Sequence, residues 1–243
     1  FNEEKHLVYN EGVLIGQVIV LKNVTAFKEL DLAKTNFIAT ISHELKTPIS
    51  AIKMSLKLLD DKRIGDLNEE QSKLTAQIRD DSERLLKITG ELLDLAQVET
   101  GNIRLELAPT RVEYLVGYAR KAVESLLEDR QLKLDVDLAP DLPSILLDAE
   151  KTAWVLVNLL TNAIKHSPSG ERIEVRAHRK DDMLLVSVRD FGKGIEARYL
   201  PKVFDKFFQA PANGHKSAAS GTGLGLAISK EFIEAQGGQL MVS

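Results

Sequence analysis

Apolar residues recur at Phe37, Ile41, Leu45 and Ile49, every fourth position, and the series continues through Ile52, Leu56 and Leu59. This is the apolar stripe of an amphipathic helix, and it predicts one helix from Thr25 or Ala26 to Asp60. Pro48 falls inside it, cannot donate to the carbonyl of Glu44, and is expected to kink the axis. A second series, Leu74, Ile78, Leu85, Ile88, Leu92 and Leu95, has gaps of 4, 7, 3, 4 and 3, the seven-residue rhythm of a coiled-coil seam. It predicts a helix over 69–99, reached through a loop over 61–68 that holds Gly65 and Asn68, and ended by Thr100-Gly101. Two such helices cannot bury both stripes alone. The pattern therefore predicts pairing of two chains into a four-helix bundle.

Period two replaces this rhythm at both ends. Residues 1–24 read as a hairpin, His-Leu-Val-Tyr and Val-Leu-Ile-Gly-Gln-Val-Ile-Val-Leu around the turn signal Asn10-Glu11-Gly12. After 101 short strands and helices alternate: strands over 103–107, 132–138, 144–147, 173–178 and 184–189, and helices over 112–129, 149–166 and 223–236. The closing Gln-Leu-Met-Val-Ser reads as a further strand. Runs of both types imply a two-layer α/β sandwich, with helices on one face of a mixed sheet.

Composition narrows the function classes. The chain has 243 residues, 44% hydrophobic and 28% charged, within the range of soluble globular proteins. A net charge of −4 gives no reason to expect nucleic acid as a partner. With no cysteine, a thiolate metal site and a disulfide framework are both excluded. The longest apolar run, 12–21, is short of the roughly 20 residues needed to cross a bilayer. Both ends look abrupt, and the chain reads as a fragment of a longer protein whose N-terminal part crosses a membrane.

Candidate chemistry sits on this frame. His43 lies two residues from Ile41 and from Leu45, about 200° around the helix from each, so its ring is expected to face water. On the helix over 149–166, Asn158 and Asn162 share one face, with Lys165 three positions on. Two amide oxygens and an ammonium on one stripe suit Mg²⁺ and the phosphates it carries, although such a stripe also occurs on ordinary surface helices. Asp190-Phe-Gly192-Lys-Gly194 follows a strand; it is either a plain turn or a carboxylate placed to accept from an exocyclic amine beside a flat ring. Gly221-Thr222-Gly223-Leu224-Gly225-Leu226 opens the last helix, where bare backbone N–H groups attract an anion. It lacks the Gly-Lys-Ser/Thr ending of a P-loop and the preceding strand of a dinucleotide fingerprint. Before it, 209–220 has the composition of a mobile lid. Phe204, Phe207 and Phe208 stand beside that lid, as core aromatics or as its anchor.

In order and spacing, His43-Glu-Leu-Lys-Thr-Pro, Asn158/Asn162/Lys165, Asp190/Gly192/Gly194, Phe204–Phe208 and Gly221–Gly225 resemble the H, N, G1, F and G2 boxes of bacterial sensor histidine kinases. Residues 23–25 and the run before them resemble the end of a PAS sensor domain. The resemblance implies three segments: the end of a PAS-like domain over 1–24, a dimerisation and phosphotransfer hairpin over 25–100, and a Bergerat-type ATP-binding domain over 101–243. It implies that His43 takes the γ-phosphoryl of ATP, with Glu44 as general base. Asn162 is then the Mg²⁺ ligand, Asn158 supports metal and reacting groups, and Lys165 neutralises phosphate charge. His166 occupies a position more often aromatic. Asp190, with Gly192 and Gly194, reads adenine, Phe204 belongs to the aromatic box, and the Gly221–Leu226 backbone holds phosphates. The phosphoryl group then passes to an aspartate of a response regulator receiver domain. Thr47 implies dephosphorylation of that regulator as well. The family implies a homodimer and the cytoplasmic portion of a membrane-anchored protein, touching the membrane only through segments absent from this chain. Two rivals remain: a Bergerat-fold ATPase of the gyrase, chaperone or mismatch-repair type, and a degenerate kinase serving as a signalling scaffold.

Overall fold

A computed structural model of the chain describes residues 2–10, 12–23, 25–99, 103–210 and 221–243. Glu11 of the expected first turn, the helix stop at Thr100-Gly101 and residues 211–220 of the expected lid lie outside the described residues. The chain divides into two compact units, 1–101 and 102–243.

The first unit opens on an antiparallel hairpin, β1 (Asn2–Asn10) and β2 (Val13–Lys22), whose register shifts between Val8 and Tyr9. Leu7, Leu14, Ile15, Val18, Ile19 and Leu21 all remain exposed. Two long helices follow, α1 (Thr25–Leu59) and α2 (Glu69–Glu99), at the expected places. Asn68 and Gln71 cap α2 reciprocally: the Asn68 N–H donates to Gln71 Oε1 at 2.9 Å, and the Gln71 N–H donates to Asn68 Oδ1 at 2.8 Å. Helix α1 continues through Pro48.

What the two helices bury against each other is only part of the expected stripes. Ser42, Ile49 and Leu56 are buried on α1, and Thr75, Ser82, Thr89 and Ala96 on α2, each series in steps of seven. The hydroxyls of Thr75, Ser82 and Thr89 donate to carbonyls of their own helix, at 3.0, 2.7 and 2.8 Å, so a polar seam closes with its donors satisfied. Small residues let the helices approach closely. Ile41, Leu45, Ile52 and Leu59, with Leu74, Ile78, Leu85 and Leu92, stay exposed on the single chain. An amphipathic hairpin with a second apolar stripe still open has surface left for a partner.

In the second unit the order is β3 (Leu107–Thr110), α3 (Val112–Asp129), β4 (Lys133–Leu138), β5 (Ile145–Asp148), α4 (Ala149–His166), β6 (Arg172–Lys180), β7 (Met183–Asp190) and α5 (Gly225–Ala235). Strands β4, β6 and β7 form a mixed sheet, with β4–β6 parallel and β6–β7 antiparallel; β3 and β5 pair separately. Ile173, Val175 and Ala177 of β6 point into a core shared with Val116, Ala119 and Val123 of α3 and with Leu156, Leu160 and Ala163 of α4. Alternation along β6 thus turns one sheet face toward the helices and leaves Arg172, Arg176 and His178 outside.

Three expectations are corrected. The first strand lies at Leu107–Thr110 rather than over 103–107, because its partner β5 fixes the register, Leu107 opposite Asp148 and Thr110 opposite Ile145. Helix α5 starts at Gly225 rather than at 223, since Gly223 takes φ +74°, outside the right-handed helical region. Residues 239–243 form no strand, because alternation supplies no ladder and no strand hydrogen-bonds to them.

Candidate functional site

On α1, Ser42 and His43 face different ways. Ser42 Oγ donates across the hairpin to the carbonyl of Thr89 at 3.2 Å, which fixes the rotation of α1 about its axis. One residue on, about 100° around the helix, the His43 side chain is 80% exposed. Glu44 Oε1 lies 3.8 Å from His43 Nδ1 and is similarly exposed. Both groups therefore stand in solvent, where a second body can reach them. The Thr47 hydroxyl donates back to the carbonyl of His43 at 3.4 Å, which places it one turn along on the same side. Sequence reading missed Ser42, although it continues the step of seven through Ile49 and Leu56.

The second unit builds its site on an antiparallel pair of helices, α4 and α5. Asp148 caps α4 by accepting from the Lys151 N–H at 3.0 Å, and it also accepts from the Glu106 N–H at 3.0 Å. Its own N–H donates to Gln236 Oε1 at 2.6 Å, at the far end of α5. Burial works to raise the Asp148 carboxyl, but the Lys151 and Glu106 backbone donors, with the charge of Lys151, reverse it and leave the pKa below the ordinary value. Midway, Trp154 and Phe232 meet edge to face, with ring centroids 5.6 Å apart. Nearer the α5 N-terminus, Asn158 Nδ2 donates to Ser229 Oγ at 2.9 Å. None of Asp148, Gln236 and Ser229 carried a sequence signal beyond an acid in front of a helix.

Close contacts explain the glycines. A Cβ on Gly225 would stand 2.5 Å from Asn158 Oδ1, so the amide of Asn158 lies against a bare Cα. Gly223 leaves no room either: a Cβ would meet the Phe207 carbonyl carbon at 2.7 Å and the Phe208 carbonyl oxygen at 2.8 Å. The Phe207 N–H donates to the Gly223 carbonyl at 3.0 Å, and this joint holds Phe207 at φ +63°, a left-handed conformation unusual for a bulky residue. Phe207 itself is exposed, Phe208 packs on Tyr199 at 5.9 Å, and Lys230 Nζ sits 5.5 Å from the centre of the Phe204 ring. Gln209 Nε2 donates to the Gly221 carbonyl at 2.6 Å. Thr222 Oγ1 accepts from the Leu224 N–H at 3.2 Å, Leu224 is buried, and Leu226 is half-buried in the first turn of α5.

Lys165 reaches the same loop, since its Nζ would lie 3.9 Å from a Cβ on Gly221. Asn158, Asn162 and Lys165 are all half-buried along one face of α4. At the end of that helix, burial first and then the charge of Lys165 push the His166 imidazole below its ordinary pKa, with Asp190 opposing and Lys193 adding. Asp190 Oδ1 accepts from the Gly192 N–H at 2.9 Å, which rigidifies the turn after β7. Gly194 takes φ +70° in that turn. The structure thus brings together the α4 stripe, the Asp190 turn and the glycine loop.

Chemically, this is a seat for a polyanion: open backbone N–H groups at the start of a helix, one ammonium and amide oxygens. Among the described residues no three His, Asp or Glu side chains gather to hold a metal alone. A hard cation here would take protein amide oxygens and find its remaining ligands on phosphate and water, which fits Mg²⁺ arriving with a nucleotide.

Residues 147–243 match the family model described as histidine kinase-, DNA gyrase B-, and HSP90-like ATPase, and residues 33–101 match the His Kinase A (phospho-acceptor) domain. The second match decides between the histidine kinases and the other ATPases of that fold. The chain belongs to the two-component sensor histidine kinases. It is 31% identical over 95% of its length to the alginate biosynthesis sensor protein KinB of Pseudomonas aeruginosa, covering 38% of that protein. It is 36% identical over 86% of its length to the non-motile and phage-resistance protein of Caulobacter vibrioides, covering 25% of it. Among solved structures, full-length ShkA in complex with AMPPNP superposes with a TM-score of 0.68 at 27% identity, over 83% of this chain and 41% of that one. The chain spans well under half the length of these relatives. No helix of this histidine kinase among the described residues is long and apolar enough to cross a membrane.

Proposed function

We propose that the chain carries the phosphoacceptor and ATP-binding parts of a sensor histidine kinase, and that it autophosphorylates on His43. The observation that carries this reading is the pairing, in one chain, of an imidazole standing in solvent beside a carboxylate with a polyanion seat at Gly221–Gly225. Glu44 lies nearest Nδ1 and serves as the general base: it keeps or takes the proton on that side, so the opposite ring nitrogen offers its lone pair to phosphorus. The N–P bond forms as the bond from the γ-phosphorus to its bridging oxygen breaks and ADP leaves. Asp190 accepts from the adenine amine, Gly192 and Gly194 let the ring approach, and Lys165 with the Gly221–Leu226 backbone takes the phosphate charge. Asn162, supported by Asn158, would hold Mg²⁺, and the ion would supply neutralisation of phosphate charge.

The phosphoryl group then moves to an aspartate of a response regulator receiver domain, and Thr47 orients the water that later removes it. The open stripe Ile41–Leu45–Ile52 with Ile78–Leu85–Leu92 supports pairing of two copies through the hairpin. The reading includes a cytoplasmic location, where ATP is, with membrane contact made by segments outside this sequence, and it takes β1–β2 as the end of a PAS-like domain. Incubation with labelled ATP and then with receiver domains tests it: label appears on the chain as an acid-labile, alkali-stable phosphate and leaves for a receiver. Nucleotide hydrolysis without protein-bound phosphate would contradict it.

A further inference from the structure

Resting on that reading, we infer that Phe191 is a positioning residue for adenine recognition: two arginines on the outer face of the sheet grip its ring, and the grip fixes the Asp190 carboxylate. Asp190 takes the last position of β7, opposite Ile173 of β6, and alternation puts it on the face of Val188, toward the helices. Phe191 leaves on the other face. There the guanidinium carbons of Arg172 and Arg189 lie over its ring, 4.8 and 5.0 Å from the centre. Glu174 offsets the repulsion between the two cations: its Oε1 lies 3.3 Å from Arg172 Nε, and it stands directly across from Arg189 in the β6–β7 register. The turn is therefore held from both sides, by Gly192 against the His166 carbonyl and by Phe191 beneath the arginines. Between these holds the Gly192 N–H closes onto Asp190 Oδ1 at 2.9 Å, spanning Phe191. Asp190 Oδ2 accepts no hydrogen bond among the described residues and is the oxygen open to an amine. Apolar packing alone does not secure the ring, which is half-buried and borders an open cavity lined also by Lys133, Asp135 and Glu171.

Without the gripped ring the turn pivots on Gly192, and Asp190 no longer meets the amine in one place. The loss falls only on a base that offers that amine. Adenine does; hypoxanthine carries a carbonyl oxygen at the same carbon and gains nothing from a placed carboxylate. The experiment is calorimetric titration of the 243-residue chain with ATP and with inosine triphosphate in MgCl₂, for wild type, Phe191→Leu, Phe191→Tyr and Arg189→Gln. Phe191→Leu keeps apolar bulk but offers the guanidiniums no ring face. It is expected to lower ATP affinity about tenfold, the scale of one hydrogen bond to a charged acceptor, and to leave inosine triphosphate affinity unchanged. Phe191→Tyr keeps the ring and should keep the wild-type preference. Arg189 is exposed and outside the core, so Arg189→Gln leaves the fold alone and should weaken the preference in the same direction, by less. Equal losses for both nucleotides would make Phe191 a packing residue and overturn the inference. A wild-type preference in Phe191→Leu or in Arg189→Gln would overturn it too, as would a preference lost in Phe191→Tyr. A wild-type chain that binds ATP no better than inosine triphosphate would remove Asp190 from adenine recognition as well, whereas a preference kept in Phe191→Leu defeats only the present inference.

Discussion

Gly192 is pressed against the backbone at the end of α4: a Cβ there would lie 2.4 Å from the carbonyl oxygen of His166 and 2.9 Å from Asp190 Oδ1. The glycine of the Asp190 turn is therefore required first by packing against the helix that carries Asn158, Asn162 and Lys165. Gly192→Ala must push the turn off α4, at a cost of about 1–3 kcal/mol in stability. It should also separate Asp190 from the phosphate-binding residues, so ATP affinity falls even in the variant's folded fraction. Denaturant unfolding together with ATP titration checks this; a variant with wild-type midpoint and affinity would show the contact to be slack.

Asp148 links the first turn of α4 to β3 and stands beside Gln236 of α5. Asp148→Ala removes a cap and strands the Glu106 N–H, which together cost roughly 2–4 kcal/mol. The sign of the pH dependence follows from its lowered pKa. The folded chain prefers the carboxylate, so the contribution is complete above the ordinary aspartate value of about 3.9 and is lost as pH falls through the lower folded value. The stability gap between wild type and variant should be constant near neutrality and close in acid. A gap that widened on acidification would contradict the assignment.

Leu85 is 50% exposed on the open face of α2, in the stripe with Ile78 and Leu92. Leu85→Lys should leave the hairpin's own seam through Ser82 and Thr89 intact while placing a charge in the face between copies. Light scattering is expected to show dissociation at concentrations where wild type is dimeric, with helical circular dichroism retained. Wild-type mass for the variant would move the interface elsewhere.

Thr47 lies a turn from His43 with its hydroxyl tied to the His43 carbonyl. Thr47→Ala should slow dephosphorylation of the receiver roughly 10- to 100-fold, the usual scale for losing placement of a reacting group, and leave labelling of the chain unaffected. Parallel loss of both activities would instead indicate a damaged helix.

Much of this molecule was legible because its elements follow strong periods. Helices α1 and α2 and the helices α3 and α4 announce themselves by spacing, and His43 was expected in solvent from its angle to Ile41 and Leu45 alone. The hairpin's inner seam was not, because Thr75, Ser82 and Thr89 do not register in a pattern built on large apolar residues. Gly223 and Gly225 were read as anion-binding glycines, yet the structure shows that each also makes room for a neighbour, Phe207–Phe208 and the Asn158 amide respectively. Contacts between residues 67 to 88 positions apart, such as Asn158 with Gly225 and Asp148 with Gln236, leave no local trace. The first strand of the second unit was misplaced for the same reason: its register belongs to β5, not to its own alternation.

The central claim is that phosphate from ATP comes to rest on the His43 imidazole. Mapping the labelled site after incubation with γ-labelled ATP, in wild type and in His43→Gln, tests it directly. The account predicts a single acid-labile phosphate on the peptide containing His43, absent from the variant, whose ATP affinity matches wild type. Label that persists in His43→Gln, or maps to another residue in wild type, would contradict it.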